Sequence, residues 1–481
     1  MYTAYTLLRI LFRPAWLVLV VVLLWLLACN AGDDNMSPTT INLLVETSEG
    51  TVRGSYEGSH LVFKGIPYAA APVGNLRWMP AQEPPKHADI LDALTFCPAC
   101  PQPKYPEITD TSEDCLFLNI WAPSTPGPHP VLFWMHGGAF VQNSGAQSKC
   151  AGSALAERGV VVVTINYRLG ALGIFAHPAL TAEHPQGPLG NYVLMDQLAA
   201  LRWVKRNIAA FGGDPGSVTV SGSSAGATSI LFLMSATEEA NGLFQKAILQ
   251  SSGGIDDVFS FSQEEQGGAA FAQLLGVPAD AATSTAQALR ALSASAITNA
   301  NGPWTATSTP PLAKKPVVDN ALIHQTPNET FVPGGAFIAP VAFLIGSADG
   351  ESGGKAQPQG VPMTSIKPGG AFMVDLDRAQ AIVATGAKTY AYYFCFVPGN
   401  PGDVANHGES VPYSFGTTNS SNSEAVRISN LMMDYWVSFM TTGVPSSGSG
   451  PTWPAYDPNN PQAMMFANPE EGGVRALPIQ Q

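Results

Sequence analysis

The sequence predicts an α/β fold in which helices flank a mostly parallel central sheet. Five short, unbroken apolar runs are typical of strands covered on both faces. These runs are 131–135, 160–165, 218–220, 247–249 and 341–345. Helical patterns lie between them, and in 196–210 the apolar residues share one helix face. This alternation of strands and helices favours a doubly wound or related α/β sheet.

Other segments complete the predicted outline. Residues 51–53 and 60–63 are expected to pair as a small antiparallel hairpin, and 389–396 is expected to form a strand. The segment 302–312 is rich in Pro and Thr and is predicted to be a loop.

Composition limits the kind of protein and partner. The 481 residues are 46% hydrophobic, which is enough apolar material for one large core. The formal net charge is −13. An acidic surface repels phosphate backbones, so we expect no nucleic-acid partner.

The N-terminal segment is predicted to direct export. Arg9 and Arg13 precede an unbroken apolar run, 15–28. The run is shorter than the roughly 20 residues that span a bilayer, and it fits the hydrophobic region of a signal peptide. Cys29 directly follows the end of this run. The end of the run and Cys29 together resemble a bacterial lipobox, in which the cysteine is acylated after cleavage. A plain secretory peptide and an uncleaved membrane anchor are the alternatives.

Under each of these three interpretations, the rest of the chain is exported. Residues 1–28 are predicted to be the signal peptide, 29–40 a small, polar, flexible tether, and 41–481 a single domain. Contact with a membrane is expected only through a lipid on Cys29 or a signal anchor. The predicted location is therefore the bacterial cell envelope or the extracellular medium.

Export permits disulfides. The six cysteines are Cys29, Cys97, Cys100, Cys115, Cys150 and Cys395. Cys100 and Cys115 would close a short loop and are the favoured pair, with Cys97 as the competitor for Cys115. Cys97 and Cys100 form a C-x-x-C without a second ligand pair nearby, so a structural crosslink is favoured over zinc. Cys395 lies in an apolar run and is predicted to be a buried thiol.

A nucleophile motif stands at 222–226, which reads GSSAG. In a G-x-S-x-G elbow, a serine between a strand and a helix is held on a sharp turn with its hydroxyl exposed above the sheet. The motif alone is weak in a chain rich in Gly and Ser. Its context strengthens it, because an apolar strand precedes Ser224 and 227–234 can form a helix.

A second motif, HGGAF at 136–140, directly follows a predicted strand. Small residues let backbone N–H groups approach a developing oxyanion. In hydrolases with such an elbow, this loop supplies donors together with the residue after the nucleophile. The expected donors are Gly138, Ala139 and Ala225, and the alternative is an ordinary glycine turn.

Chain order in this fold runs from the serine to an acid and then to a histidine. Only His324 and His407 follow Ser224, and His407 lies in a polar loop after a predicted strand, which suits a general base. Asp349 and Glu351 both follow an earlier strand as candidates for the acid. The alternative for either is a solvated loop carboxylate.

These residues resemble the type-B carboxylesterases, the family that also contains cholinesterases and para-nitrobenzyl esterases. The likeness extends from about 51 to 457. The matching segments are 63–69 (FKGIPYA), 112–119 (SEDCLFLN), 166–170 (NYRLG), 211–215 (FGGDP), 407–409 (HGE), 439–445 (FMTTGVP) and 453–457 (WPAYD).

The resemblance implies an α/β-hydrolase fold and selects Glu351 as the acid and His407 as the base. It implies that Gly138 and Ala139 are the oxyanion donors of the loop and that Cys100 pairs with Cys115. The implied activity is hydrolysis of a small-molecule carboxylic ester through an acyl-enzyme, with no metal or organic cofactor.

Three departures from the family limit the substrate. Ser223 replaces the usual Glu or Gln before the nucleophile, which weakens the case for cationic substrates. The Cys100–Cys115 loop is short and lacks the tryptophan that could hold a quaternary ammonium, which argues against choline esters. The Glu351–His407 interval is much shorter than the family's helical insertion, which predicts a shallower, more open site.

The expected substrates are neutral esters with short to medium acyl groups. Amides, carbamates or lactones cleaved by the same triad are the alternative. A non-catalytic adhesion or binding role is a more remote one, because such members typically lose the serine or the histidine.

Overall fold

The computed structural model describes residues 43–480 except 185, 186, 188, 254–256, 301–309, 333, 353–362, 368, 369 and 399–403. The predictions for 1–28, for Cys29 and for the 29–40 tether therefore lie outside the described residues. So does most of the predicted loop 302–312. From Leu44 onward the described residues form one unit.

The strands belong to two sheets. In chain order they are β1 (Leu44–Glu46), β2 (Thr51–Arg53), β3 (Ser55–Glu57), β4 (His60–Pro67), β5 (Leu91–Asp92), β6 (Phe117–Pro123), β7 (His129–Met135), β8 (Val161–Ile165), β9 (Gly213–Ser223), β10 (Lys246–Gln250), β11 (Ala342–Ala348), β12 (Lys388–Phe394), β13 (Gln462–Phe466) and β14 (Arg475–Pro478). Eleven of them form the central sheet in the order β14-β13-β12-β11-β10-β9-β7-β8-β6-β4-β3, and β1, β2 and β5 form a small second sheet.

The middle of the large sheet is parallel, as predicted. Strands β7 to β13 pair in parallel along the order β8-β7-β9-β10-β11-β12-β13. Antiparallel pairs occur only towards its two edges, at β13-β14 and from β8 through β6 and β4 to β3. Each of the five predicted apolar runs lies in or overlaps one of the strands β7 to β11.

The predicted hairpin between 51–53 and 60–63 is wrong. Strand β2 pairs with β1 and β5 in the small sheet, whereas β4 pairs with β3 and β6 in the large one. The hairpin partner of β4 is β3, across a tight turn in which Gly58 has a φ of 63°. Strand β3 (SYE) has no apolar run, so its pairing was not detectable from hydrophobicity.

Helices cover both faces of the sheet. They are α1 (Ser153–Ala156), α2 (Pro178–Thr181), α3 (Tyr192–Asn207), α4 (Ala225–Ser235), α5 (Phe261–Leu274), α6 (Thr283–Ala291), α7 (Ala294–Ala300), α8 (Pro327–Thr330), α9 (Gly370–Val383), α10 (Ser410–Phe415) and α11 (Ser423–Thr442). Helix α3 begins four residues before the predicted start at 196.

Alternate residues of one strand enter two different cores. In β7, Phe133 packs in a core with residues of α3, α4 and α9, whereas Trp134 packs in a second core with residues of α1, α10 and α11. Because a strand has a side-chain period of two, burial of both faces requires an unbroken apolar run. The position of β7 between two helical layers therefore explains its sequence VLFWM.

Within the part of the chain that the structure describes, none of the helices is long and apolar enough to cross a membrane. Of the described residues between Glu351 and His407, α9 supplies the helical structure.

Candidate active site

Ser224 lies on a strained turn between β9 and α4. Its φ is 57° and its ψ is −124°, a conformation that non-glycine residues rarely adopt. Two hydrogen bonds hold the turn: the Ser224 amide donates to the carbonyl of Gln250 at 3.0 Å, and the Ser224 carbonyl accepts from the Thr228 amide at 2.8 Å. The backbone thus fixes the serine at the carboxyl end of the central strands.

The two glycines of the motif allow this close packing. A Cβ on Gly222 would lie 2.4 Å from the carbonyl carbon of Gly226, and one on Gly226 would lie 2.0 Å from the carbonyl oxygen of Met135. Both distances are far below contact distance. The spacing G-x-S-x-G therefore lets α4 start directly against the end of β7.

The loop after β7 presents backbone amides. Gly138 and Ala139 have φ values of 114° and 54°, and Ala225 is the first residue of α4. Among the described residues, no protein group accepts a hydrogen bond from any of these three amides. The first amides of a helix also lack partners within the helix, which favours negative charge there. The three predicted donors are therefore available to an oxyanion.

His136 anchors this loop rather than reacting. Its ring stacks on Tyr167 with 4.2 Å between centroids, and its Nδ1 lies 2.8 Å from the Gly137 carbonyl oxygen. Tyr167 also donates a hydrogen bond to the His136 carbonyl. Burial lowers the pKa of His136 to about 4, so the imidazole is neutral at physiological pH.

The structure joins His407 to Glu351. Nδ1 of His407 forms a short hydrogen bond with Oε2 of Glu351. The carboxylate is 6% exposed, whereas the imidazole is 49% exposed. The hydrogen bond to Glu351 raises the pKa of His407 above 6.5, against the opposing effect of burial.

Backbone contacts bring the acid and base loops together. The Gly350 amide donates to the carbonyl of Ala405 at 2.9 Å, which connects the turn carrying Glu351 to the segment before His407. Glu409 accepts a hydrogen bond from the Asn406 amide at 2.6 Å and so closes the histidine loop.

Asp349, the other candidate acid, forms no recorded bond with His407. Burial raises the pKa of its carboxyl to about 7, although a hydrogen bond from the Ala405 backbone opposes this. Its Oδ1 has no hydrogen-bond partner among the described residues. His324 lies exposed in a loop outside the site.

One cavity of about 310 Å³ contains Ser224, His407, Gly138 and Ala139 in its lining. Ala225 directly follows the serine but does not line the cavity. The remaining lining residues are Tyr105, Trp134, Gly137, Gln142, Asn143, Gln147, Lys149, Ser223, Gly408 and Val411.

Two lining residues were missed by the sequence argument. Tyr105 comes from the Cys100–Cys115 loop, so an aromatic side chain reaches the cavity although the loop lacks tryptophan. Lys149 comes from a short 3₁₀ helix, Ser148–Cys150. Neither residue belongs to a motif that could have identified it.

A buried polar network behind Glu351 was also missed. Asp375 on α9 is fully buried and accepts hydrogen bonds from Ser347 and, at 2.5 Å, from Ser252. Arg378 lies 3.4 Å from the same carboxylate. Burial raises the pKa of Asp375, and the neighbouring Glu351 raises it further. The network connects the ends of β10 and β11, from which the acid turn starts.

The cysteines pair as the sequence favoured. Cys100 and Cys115 form a disulfide with 5.0 Å between their Cα atoms. Cys97 is a free thiol, and Cys150 and Cys395 are free and buried. Among the described residues, no group of three or more His, Cys, Asp or Glu side chains could hold a metal ion.

Comparisons with known proteins show the family of the chain. A sequence profile of the Carboxylesterase family matches residues 42–361 and 372–477. The chain is 34% identical to a fumonisin B1 esterase of Sphingopyxis macrogoltabida, over 86% of this chain and 85% of that protein. It is also 34% identical to a para-nitrobenzyl esterase of Bacillus subtilis, over 88% and 94%.

A solved structure of a PNB esterase superposes with a TM-score of 0.77 at 30% identity, over 91% of this chain and 97% of that one. The chain therefore belongs to the carboxylesterase family of the α/β-hydrolase superfamily, and it is a carboxylic ester hydrolase.

Proposed function

We propose that Ser224 is the nucleophile, His407 the general base and Glu351 the acid that orients the base. The observation that carries this proposal is that His407, bonded through Nδ1 to Glu351, lines the same cavity as Ser224. With Nδ1 occupied, Nε2 is the nitrogen left to accept a proton. Glu351 thereby holds the tautomer that the reaction needs.

In the first step, His407 takes the proton of the Ser224 hydroxyl while the serine oxygen attacks the ester carbonyl. The amides of Gly138, Ala139 and Ala225 stabilise the tetrahedral oxyanion, and loss of one donor costs roughly 3 kcal/mol. His407 then protonates the leaving alcohol. Water attacks the acyl-enzyme by the same route and regenerates the serine.

The proposed substrates are esters with short to medium acyl groups and no positive charge. Ser223 supplies no carboxylate beside the nucleophile, and Lys149 places a cation in the cavity. Both features disfavour a quaternary ammonium despite the presence of Tyr105. The names of two relatives, a fumonisin B1 esterase and a para-nitrobenzyl esterase, support ester cleavage across different substrates. Amides, carbamates and lactones remain the alternative substrates for the same machinery.

Hydrolysis of para-nitrophenyl acetate tests this assignment. The expected result is that Ser224→Ala loses at least about 10³-fold in kcat. Ser235→Ala is the matched control, because it removes a hydroxyl from the same helix, and among the described residues that hydroxyl bonds only to the Leu231 carbonyl. If wild type and Ser224→Ala release nitrophenol equally slowly, Ser224 is not the nucleophile. A panel of esters, amides and lactones then separates the substrate classes.

We propose in addition that the enzyme is exported and attached through Cys29, as the N-terminal sequence predicts. A disulfide between Cys100 and Cys115 supports an oxidising compartment. Mass spectrometry of the mature protein tests this: the expected N-terminus is an acylated Cys29. An unmodified N-terminus at another residue would rule out the lipid anchor.

A further inference from the structure

Lys149 occupies a fixed position on the wall of the candidate active site. Its carbonyl accepts a hydrogen bond from Thr417 Oγ1 at 2.8 Å, and the next residue, Cys150, is fully buried. Its side chain is half-buried and lines the cavity that contains Ser224 and His407. The backbone at Lys149 is thus held in place, and its side chain lines the cavity of the candidate active site.

The segment leading to Lys149 is itself bonded to the oxyanion loop. Gln147 donates to Asn143 Oδ1 at 3.1 Å, and Asn143 Nδ2 donates to the Gly137 carbonyl at 3.1 Å. Both amide side chains are buried. Lys149 is therefore held in a defined place relative to the predicted donors, unlike a surface lysine on a loose loop.

Among the residues that the structure describes, no carboxylate forms an ion pair with this lysine. Within the described part of the chain, its ammonium takes part in none of the ion pairs or side-chain hydrogen bonds. None of the described residues lining the cavity is Asp or Glu. A half-buried cation without a counterion is a ready partner for an anionic ligand.

The charge of Lys149 acts on the groups around the cavity. Burial raises the pKa of Cys150, and the positive charge of Lys149 opposes that rise. The same charge adds to the effect of burial in lowering the pKa of His136, and it also acts to lower the pKa of His407. For His407 this contribution opposes the larger upward effect of Glu351. The electrostatic field of Lys149 therefore extends across the oxyanion loop to the proposed base.

We propose that Lys149 binds a carboxylate carried by the ester substrate, so that the preferred substrates are half-esters or other esters with a second, ionised carboxyl group. This inference rests on the proposed function and narrows its substrate class. The scissile ester itself is uncharged, and the additional carboxylate takes the place of the missing counterion. An ion pair in a partly enclosed cavity is screened less than one on the surface, so it discriminates between substrates.

The carboxylate has two possible sources, the acyl group or the alcohol. Two matched substrate pairs distinguish them. In the acyl pair, monomethyl glutarate is compared with methyl hexanoate. In the alcohol pair, 4-acetoxybutanoate is compared with pentyl acetate. Each pair keeps the reacting ester and the chain length similar and changes the charge.

Hydrolysis is followed in a pH-stat. The measured ratio is kcat/KM of the anionic ester divided by kcat/KM of its neutral counterpart. In Lys149→Met this ratio is expected to fall at least about 10-fold for the pair whose carboxylate reaches the lysine, mainly through KM. Lys149→Arg retains the charge and should retain most of the ratio. Lys86→Met removes a charge from an exposed lysine outside the cavity and should leave the ratio unchanged.

A second readout is ionic strength. Added NaCl should lower the wild-type ratio and have little effect on the ratio of Lys149→Met. Thermal unfolding of each variant shows whether it is folded. If Lys149→Met does not fold, the comparison of Lys149→Arg with the wild type still tests the role of the charge.

The outcomes separate the two levels of the proposal. Equal ratios in wild type and Lys149→Met for both substrate pairs would overturn the role of Lys149 and leave ester hydrolysis intact. Failure of the wild type to cleave any of the four esters faster than Ser224→Ala would instead overturn the proposed function.

Discussion

The carboxylate of Glu351 accepts a hydrogen bond from Nδ1 of His407 across 56 residues of sequence. The bond joins a nearly buried acid to a half-exposed imidazole. It raises the pKa of the imidazole and so decides the pH at which the proposed base becomes neutral.

Replacement of the acid should therefore change both rate and pH dependence. Because a general base acts in its neutral form, kcat/KM of the wild type should rise with pH through a His407 pKa above 6.5. In Glu351→Gln this acidic limb should move to lower pH, and kcat should fall roughly 10³-fold or more. A pH series with a neutral ester measures both effects.

Asp349→Asn is the control for that experiment, since Asp349 has no recorded bond with His407. It should lose far less activity than Glu351→Gln. The assignment of the acid would be reversed if Asp349→Asn lost more activity than Glu351→Gln and if the pH dependence of kcat/KM in Glu351→Gln matched that of the wild type.

The close approach of α4 to β7 gives a second prediction. A methyl group on Gly226 would lie 2.0 Å from the Met135 carbonyl oxygen, so Gly226→Ala must push the helix away from the sheet. We expect a loss of about 1–3 kcal/mol in unfolding free energy and a fall in kcat as Ser224 moves. Denaturant unfolding and nitrophenyl ester hydrolysis measure the two effects.

Gly448→Ala is the matched control, because a Cβ there would meet nothing within 4 Å. It should change neither stability nor rate appreciably. Full activity in Gly226→Ala would show that the elbow tolerates a displaced helix.

Much of this architecture was predictable because it depends on local patterns. A strand buried on both faces requires an unbroken apolar run, so the strands containing Val131, Val161 and Val218 were visible in the sequence. The sharp turn at Ser224 requires small neighbours, which created a recognisable motif. The resemblance to a family then selected Glu351 between two acids that the residues alone left open.

What the sequence did not predict depends on contacts between distant segments. The partner of β4 was assigned wrongly because its true partner, β3, has no apolar pattern. Lys149 and Tyr105 reach the cavity from segments that contain no recognisable motif. That none of the described carboxylates pairs with Lys149 is a property of three-dimensional neighbours and has no signature in the sequence.

The network behind Glu351 gives a third prediction. Asp375 and Arg378 are both buried, and Asp375→Asn removes the carboxylate that lies 3.4 Å from the Arg378 guanidinium in a low-dielectric interior. Asp375→Asn should therefore cost about 3–5 kcal/mol of unfolding free energy. Because Ser347 bonds Asp375 just before the acid turn, kcat should also fall.

Asp377→Asn tests whether the effect is specific, since Asp377 is exposed on the same helix. Its thermal midpoint and rate should match those of the wild type. Equal stability of the two variants would show that the buried pair contributes nothing net.

The disulfide gives a fourth prediction. The Cys100–Cys115 bond closes a loop with a sequence separation of 15, and the loop carries Tyr105 to the cavity. The double variant Cys100→Ser/Cys115→Ser should lose about 2–4 kcal/mol of stability, because its unfolded chain is less constrained. KM for aryl esters should rise as Tyr105 becomes mobile.

Cys97→Ser removes a free thiol from the adjacent segment and serves as the comparison. Its thermal midpoint should stay close to that of the wild type. If the double variant unfolds no earlier than Cys97→Ser, the crosslink does not stabilise the fold.

A fifth prediction concerns stability against pH, at a position away from the cavity. Glu264 on α5 is fully buried, accepts a hydrogen bond from the Ala313 amide at 2.6 Å, and has no partner for Oε1 among the described residues. Burial raises the pKa of its carboxyl from 4.5 to about 8. The folded state therefore favours the protonated form.

Since the folded-state pKa lies above the unfolded one, the stabilising contribution of Glu264 is complete below about pH 4.5 and is lost as the pH rises towards 8. The loss is up to roughly 1.4 kcal/mol per pH unit in this interval.

Glu264→Gln keeps an acceptor for Ala313 and cannot ionise. It should match the wild type near pH 4.5 and unfold at a higher temperature than the wild type at pH 8.5. Thermal unfolding monitored by circular dichroism at several pH values measures this difference, with the exposed Glu238→Gln as the control. Parallel stability curves for the wild type and Glu264→Gln from pH 5 to 8.5 would show that folding does not raise the pKa of this carboxyl.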